Sequence, residues 1–554
     1  MRLSVFNWTH MLPNKTIEKL IRILNLDIKR AEKMHLQGFP ATYFCSLLLR
    51  DTEWFNTWAR GGSVVRRKAD HTRNILCDLR VGSYKYDQVM NGGLDDNSEE
   101  NESYDHVTVP IDDTCYDGLR LSIWRLLEAK YREAVSDFTR RRHQALNSID
   151  QNKNFVSFTK LPAIKHIEQK GPENVNEEYW VKYCREASRW ISKLPGVVGG
   201  WVEFDAMHVT KIFVNSEGSI IVQHEKVFSL IATMRNMSKE GASPEQDLVF
   251  NCGTQKEMPD MRTLKKLLRN KYKKLISLSR TKKIPAFSGP ALLYPLPAGI
   301  LLHEAFGHRL EGSRLLSSYE GRTFEGQIGK KILDAKLTIK DNPRQKKFRG
   351  QVCIGSYDYD DEGTPAANTL LVQDGILEGF LSTRASYLKK GFKPNGHARS
   401  KKHERAISRM GVFMVESSEG KSLKELRKML IEEIKAQGKP YGIIIYESNG
   451  GETGTTHHEF QGFQGEIAYA TIIYPNAKEV TVSGLNFVGT PLQALNNIMA
   501  IGDEQEINNS YCGAESGFIP ITTISPAILL NTLELQARGD DLTPPFILPR
   551  PRTS

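Results

Sequence analysis

Residues 284–299, IPAFSGPALLYPLPAG, divide the chain. Proline removes a backbone donor and fixes φ, whereas glycine frees it, so a stretch rich in both closes one unit and opens another. Before it the sequence runs mainly in helical periods, interspersed with short strands; after it come short apolar runs separated by turn signals. With 554 residues there is room for two cores, given the usual domain size of about 100–200 residues. The expected fold class is α+β. Residues 1–285 read as an N-terminal α/β-type domain of amphipathic helices on a sheet, and residues 286–554 as a β-rich C-terminal domain with a helix starting near Gly299.

The helical periods are specific. Ile17, Leu20, Ile21, Leu24 and Ile28 share one face of residues 14–30, and Ile123, Trp124, Leu127, Tyr131, Ala134 and Phe138 share one of 119–138. A third helix is expected over 177–194. It leads into two alternating stretches joined by the turn NSEG. Beyond 350, Asp374 and Gly375 in LLVQDGILEGFLS fit a type I′ hairpin, and one further helix is expected over 422–437. Residues 92–105, GGLDDNSEENESYD, read as an exposed acidic loop, and the last fifteen or so as an extended tail.

Composition excludes several classes. Apolar residues at 40% and charged residues at 25% are those of a globular protein. No apolar run approaches the roughly 18 residues of a membrane span, and the start lacks the apolar core of a secretory signal. Seven scattered cysteines without a CxxC pair point to reduced thiols, with buried, inert roles expected for six of them. A cytoplasmic protein without a membrane partner is expected. The net charge of +10 is local, because residues 262–283 hold ten Lys or Arg and no acid. Leu264, Leu267, Leu268, Tyr272, Leu275 and Ile276 give that segment an apolar side, so it reads as a core-packed helix with a solvated cationic face. A nucleic-acid partner is disfavoured, since no reading motif accompanies the stripe.

One group carries chemistry. In GILLHEAFGHRLEG, His303 and His308 lie five apart with Glu304 beside the first. Metal-binding helices usually space imidazoles by four; five residues leave the two about 140° apart on an ideal α-helix. Both can face one ion only if the helix is locally overwide, as in a π-turn, or ends there, and Gly307 is where it deforms at least cost. Neutral imidazoles suit zinc, and Glu304 is placed to accept a proton from an activated water. A third ligand has to come from elsewhere. The run DYDDEG starts like a calcium loop, but Thr369 stands where the bidentate glutamate is needed, so it reads as a turn.

Residues 288–313, SGPALLYPLPAGILLHEAFGHRLEGS, resemble the TldD/PmbA family, in its TldD branch. The segments 360–382, 395–411, 450–469 (GGETGTTHHEFQGFQGEIAY) and 508–520 (NNSYCGAESGFIP) follow in the same order. The likeness covers roughly 285–535 well and the preceding residues only loosely. It implies a zinc peptidase that binds one Zn²⁺ per chain through His303, His308 and Cys512, with Glu304 as general base, acting on short or unfolded peptides threaded in extended form. It also implies dimers, either homodimers or heterodimers with a PmbA-like subunit. Arg399 and Arg405 lie where the family tends to carry arginine and are candidates to grip a peptide carboxylate; His457 is a candidate cleft residue. The N-terminal part is longer than the family leads one to expect. A reading of another class is a non-catalytic assembly or regulatory subunit of a TldD/PmbA-type complex; the basic helix and the link of some family members with DNA gyrase modulation keep a nucleic-acid-associated role open.

Overall fold

The strands over 42–60 and 63–81 are far longer than the short strands expected from sequence, whereas the two alternating stretches joined by NSEG form the long hairpin expected of them. The structure is a computed structural model and describes residues 12–89, 105–147, 156–169, 173–238, 243–281, 284–317, 320–333, 337–385, 393–401, 405–456 and 462–538. One seven-stranded sheet comprises β1 (Thr42–Arg60), β2 (Ser63–Val81), β3 (His106–Val109), β4 (Lys165–Ile167), β5 (Val197–Asn215), β6 (Ile220–Asn236) and β7 (Glu245–Cys252). Its order is β3-β2-β1-β5-β6-β4, with β7 also on β6. All pairs are antiparallel except β4 with β6, so the helices lie on a meander of long hairpins.

Strand alternation explains how this sheet is covered. Cys45, Leu47, Leu49 and Phe55 of β1 point to the helices, while Leu48 and Arg50 point to the C-terminal half. On the helical side, α1 (Asn14–Ala31) and α2 (Asp117–Asn147) cover one end, and α3 (Glu177–Ser192) and α4 (Met261–Leu278) the other. Asn176 and Asp260 cap α3 and α4 by accepting from Tyr179 N and Thr263 N. The basic helix α4 buries Leu264, Leu268, Leu275 and Leu278, and its Lys271 and Lys274 pair with Glu447 across the seam. Most of the acidic stretch 92–105, the tail from 539 and Lys282–Lys283 of the basic segment lie outside the described residues.

Eleven strands form the C-terminal sheet: β8 (Phe287–Leu293), β9 (Leu337–Asp341), β10 (Thr369–Gln373), β11 (Ile376–Leu377), β12 (Val412–Ser417), β13 (Gly442–Thr453), β14 (Phe463–Ile473), β15 (Glu479–Val482), β16 (Leu485–Gly489), β17 (Ile498–Cys512) and β18 (Ile519–Ala537). The order is β11-β10-β9-β12-β18-β16-β14-β13-β8, with β15 on β14 and β17 on β18. Because β8 also pairs with β18, five strands close into a barrel. Here too β13, β17 and β18 run well beyond the short strands expected. Helix α5 (Pro295–Ala305) packs on β13 and β18; α6 (Leu423–Ala436) carries a Ser422/Glu425 capping box, and α7 (Pro491–Asn496) is short. Asp374 and Gly375 both have positive φ, as a type I′ turn requires. The DYDDEG run is a turn whose Asp361 docks against the N-terminal sheet.

Candidate metal centre

Helix α5 is apolar all round and buried, which places its chemistry inside the protein. Pro295 and Pro297 suit its first turn, where the missing N–H groups have no intrahelical partner anyway. The helix ends at Ala305: Phe306 takes φ −125° and ψ −52°, and Gly307–Leu310 continues as a 3₁₀ turn. Of the two distortions that reconcile a five-residue spacing, termination is the one observed. It brings the His303 and His308 rings to 4.8 Å between centroids, at 86°. Gly307 is needed for closeness, since a Cβ there would lie 2.3 Å from Met410 Sδ.

Cys512 arrives from the end of β17, in register with Ile519 of β18. Its Sγ lies 3.2 Å from His303 Nε2 and 3.5 Å from His308 Nε2, and the three candidate ligand atoms lie within 4.8 Å of one another. All three side chains are buried. Glu304 is buried beside them, with Oε2 3.9 Å from His308 Nε2. Gly451 of β13 makes its space: a Cβ there would approach Glu304 Cγ to 2.8 Å.

The electrostatics favour a thiolate. Burial pushes Cys512 up, but His308, His303 and Arg409 outweigh it and hold the thiol well below its ordinary value. Burial likewise opposes charge on His308, yet Glu311 and Cys512 raise it to about 10. Glu311 is lowered to about 2, its burial outweighed by His308 and Arg314. A cation at the centre would take the place of the proton on His308.

The donor set fits zinc. Tetrahedral Zn²⁺ takes N and S ligands at about 2.0–2.3 Å, which sets neighbouring ligand atoms about 3.3–3.8 Å apart, close to the two contacts of Cys512 Sγ at 3.2 and 3.5 Å. His308 Nδ1 meets Glu311 Oε2 at 3.0 Å, the outer carboxylate that fixes which ring nitrogen faces inward. His303 Nδ1 is buried without a hydrogen-bond partner among the described residues.

The other sequence candidates fall elsewhere. Arg399 is buried, donates to Met410 O at 3.1 Å and Pro520 O at 2.8 Å, and stacks on Tyr357. Arg405 lies 3.7 Å from Asp78 at the other side of the seam. Neither is among the residues that line the cleft over the candidate metal cluster. His457 lies outside the described residues. The cleft itself, about 850 Å³, runs between β7, β13 and β17, with Val249, Asn251, Glu304, Asn509, Tyr511 and Phe518 among its walls. Sequence reasoning missed Glu311, Arg314 and Arg409. Only Glu311, three residues after His308, left a local signal. All seven cysteines are unpaired, and Cys115 is exposed, against the expectation that every cysteine other than Cys512 is buried.

Residues 288–537 match the family described as the PmbA/TldA metallopeptidase C-terminal domain. The chain is 29% identical over 345 residues to a metalloprotease of Methanothermobacter thermautotrophicus, covering 61% of this chain and 70% of that one. It is 29% identical over 266 residues to the metalloprotease TldD homolog of Buchnera aphidicola subsp. Acyrthosiphon pisum, covering 47% and 51%, so that match spans about half of the relative's length. A zinc metalloprotease TldD homolog of Saccharolobus solfataricus is 25% identical over 281 residues, covering 50% and 58%. Among solved structures, TldE from Thermococcus kodakarensis superimposes with a TM-score of 0.60 at 14% identity, over 94% of this chain and 100% of that one. A Bacteroides thetaiotaomicron protein described as a candidate modulator of DNA gyrase does so at 0.62 and 14%, over 94% and 99%. At such identities these two likenesses speak for the fold alone. No helix among the described residues is long and apolar enough to cross a membrane.

Proposed function

The chain belongs to the PmbA/TldD family, and from that premise we propose that it is a zinc-dependent peptidase acting on short or unfolded peptides. The observation that carries this reading is the convergence of His303 Nε2, His308 Nε2 and Cys512 Sγ within 4.8 Å beside Glu304. These three residues would hold one zinc ion, which supplies Lewis acidity toward a peptide carbonyl and toward water when bound. Glu304 would take a proton at its carboxylate from the attacking water and deliver it to the leaving amine. Its burial supports that role, because a general base shielded from bulk solvent keeps the proton for the leaving group.

The cleft suits extended chains. Among the described residues β7 ladders only with β6, and β17 with β18 and, by a single bridge at Gly502, with Lys421, so two strand edges border the site. Backbone pairing at such an edge gives affinity with little sequence preference. In this reading residues 1–285 serve the cleft and assembly and 286–554 the chemistry, and the active form is a dimer of this chain or of this chain with a PmbA-like subunit.

The test is cleavage of an unstructured peptide with zinc content measured in parallel. Chelation should abolish cleavage and added zinc restore it. Glu304→Gln should keep zinc and lower kcat/KM by about 10²–10⁴-fold. Full activity of that variant would remove the proposed base, cleavage indifferent to chelator would remove the metal from the reaction, and no cleavage by zinc-loaded protein would leave the assembly reading.

A further inference from the structure

The two halves of the metal cluster come from segments 204 residues apart, so something must set their spacing. A hydrogen bond from ligand to ligand cannot do it, because those atoms are the ones a metal engages. The chain holds the spacing elsewhere. Glu311 is fully buried, three residues beyond His308, and its carboxylate meets two guanidiniums and the His308 ring. Oε2 accepts from Arg314 Nε at 2.9 Å and meets His308 Nδ1 at 3.0 Å, and Oε1 faces Arg409 Nε at 3.6 Å. Both arginines then cross to the cysteine segment. Arg409 Nη2 donates to the carbonyl of Cys512 itself at 2.8 Å, and Nη1 donates to Ser516 Oγ at 2.9 Å and Gly517 O at 3.0 Å. Arg314 Nη1 and Nη2 fork onto Glu515 at 3.0 and 3.1 Å.

We infer that Glu311, Arg409 and Arg314 form a clamp that fixes the sulfur of Cys512 opposite His308, and that these are positioning residues for metal capture. The inference rests on the zinc reading above. Buried charges of this kind are costly to desolvate and are weak devices for stability alone. What they fix well is geometry, since a guanidinium offers a planar fork that a lysine cannot reproduce. The hydrogen bonds reach the cysteine through its backbone carbonyl and its loop, leaving the thiolate free for the ion. Carboxylates behind a ligating histidine orient the ring and strengthen it as a ligand. Here the same carboxylate also anchors the arm that carries the third ligand.

The test uses full-length protein, wild type and the variants Arg409→Lys and Glu311→Gln. Zinc affinity is read by competition with a chromophoric chelator, and ligation by the thiolate-to-metal charge-transfer band after loading with Co²⁺. Each variant should weaken zinc by about 10–100-fold, and Arg409→Lys should also lose charge-transfer intensity. A role in folding alone would lower the melting temperature and leave the band of the folded fraction unchanged. The clamp is overturned if wild type binds one zinc and both variants, folded by circular dichroism, bind it as tightly with the same cobalt spectrum. If Glu311→Gln does not fold, Arg409→Lys decides. Wild type without zinc would overturn the metal reading and the clamp together.

Discussion

At the seam between the two sheets, Asp361 accepts from Lys211 Nζ at 2.8 Å and from Ser400 N at 2.8 Å, and forms an ion pair with Arg50 Nη2 at 3.1 Å. At the metal cluster Glu311 is as deeply buried and as surrounded by cations, yet the atoms next to it behave differently. His303 Nε2, His308 Nε2 and Cys512 Sγ point at one another across a common centre instead of at outer partners. The seam is a closed polar network in which each charge meets its complement. The other network meets its outer partner at His308 and leaves its inner atoms facing one another. Two clusters that each bury a carboxylate among cations thus separate by where the neighbouring donors aim.

The largest effect that sharpens this contrast belongs to Glu304→Gln, given above. Next, Cys512→Ser should reduce zinc to background while the fold persists, as read by metal analysis and circular dichroism, because the barrel does not depend on that sulfur. At the seam, Asp361→Ala should cost about 3–5 kcal/mol of stability by denaturant titration, since it strips buried Arg50 of its carboxylate and leaves Lys211 with Glu225 alone, and leave zinc per folded chain unchanged. Acid should act in the same place. Burial raises the Asp361 carboxyl, but Lys211 and Arg50 outweigh it and hold it below its ordinary value. Its contribution is therefore complete above the unfolded carboxylate range near about pH 4 and fades as pH falls through the folded value. Gly451→Val should lower kcat roughly 10-fold through crowding of Glu304, a displacement of about 1 Å being costly in an active site, with zinc retained. Arg405→Ala should cost no more than about 1 kcal/mol, as a long, part-exposed ion pair does.

Much of the site was legible because it is local or strongly patterned. His303, Glu304 and His308 lie in one turn, and Cys512 stood out through the ordered run of similar segments around it. Arg314 and Arg409 were not, because their meaning lies in contacts across more than a hundred residues: Arg409 reaches Cys512 and Arg314 reaches Glu515, while Glu311 offered only its spacing from His308. The arginines that were singled out, Arg399 and Arg405, share a segment with Arg409 and engage Met410, Pro520 and Asp78 instead. Helix positions were legible from periodicity, as α1 and α6 illustrate. The length of β1 was hidden since Leu47 and Leu49 are covered by helices, and Leu48 and Arg50 by the other half, which erases the alternation that betrays a strand.

Asn251 on β7 and Asn509 on β17 trade side-chain amides, each donating to the other's backbone carbonyl at 3.0 Å. The exchange rivets the two borders of the opening together near the sulfur ligand. A mouth riveted in this way is a gauge rather than a jaw, since those two amides set its width.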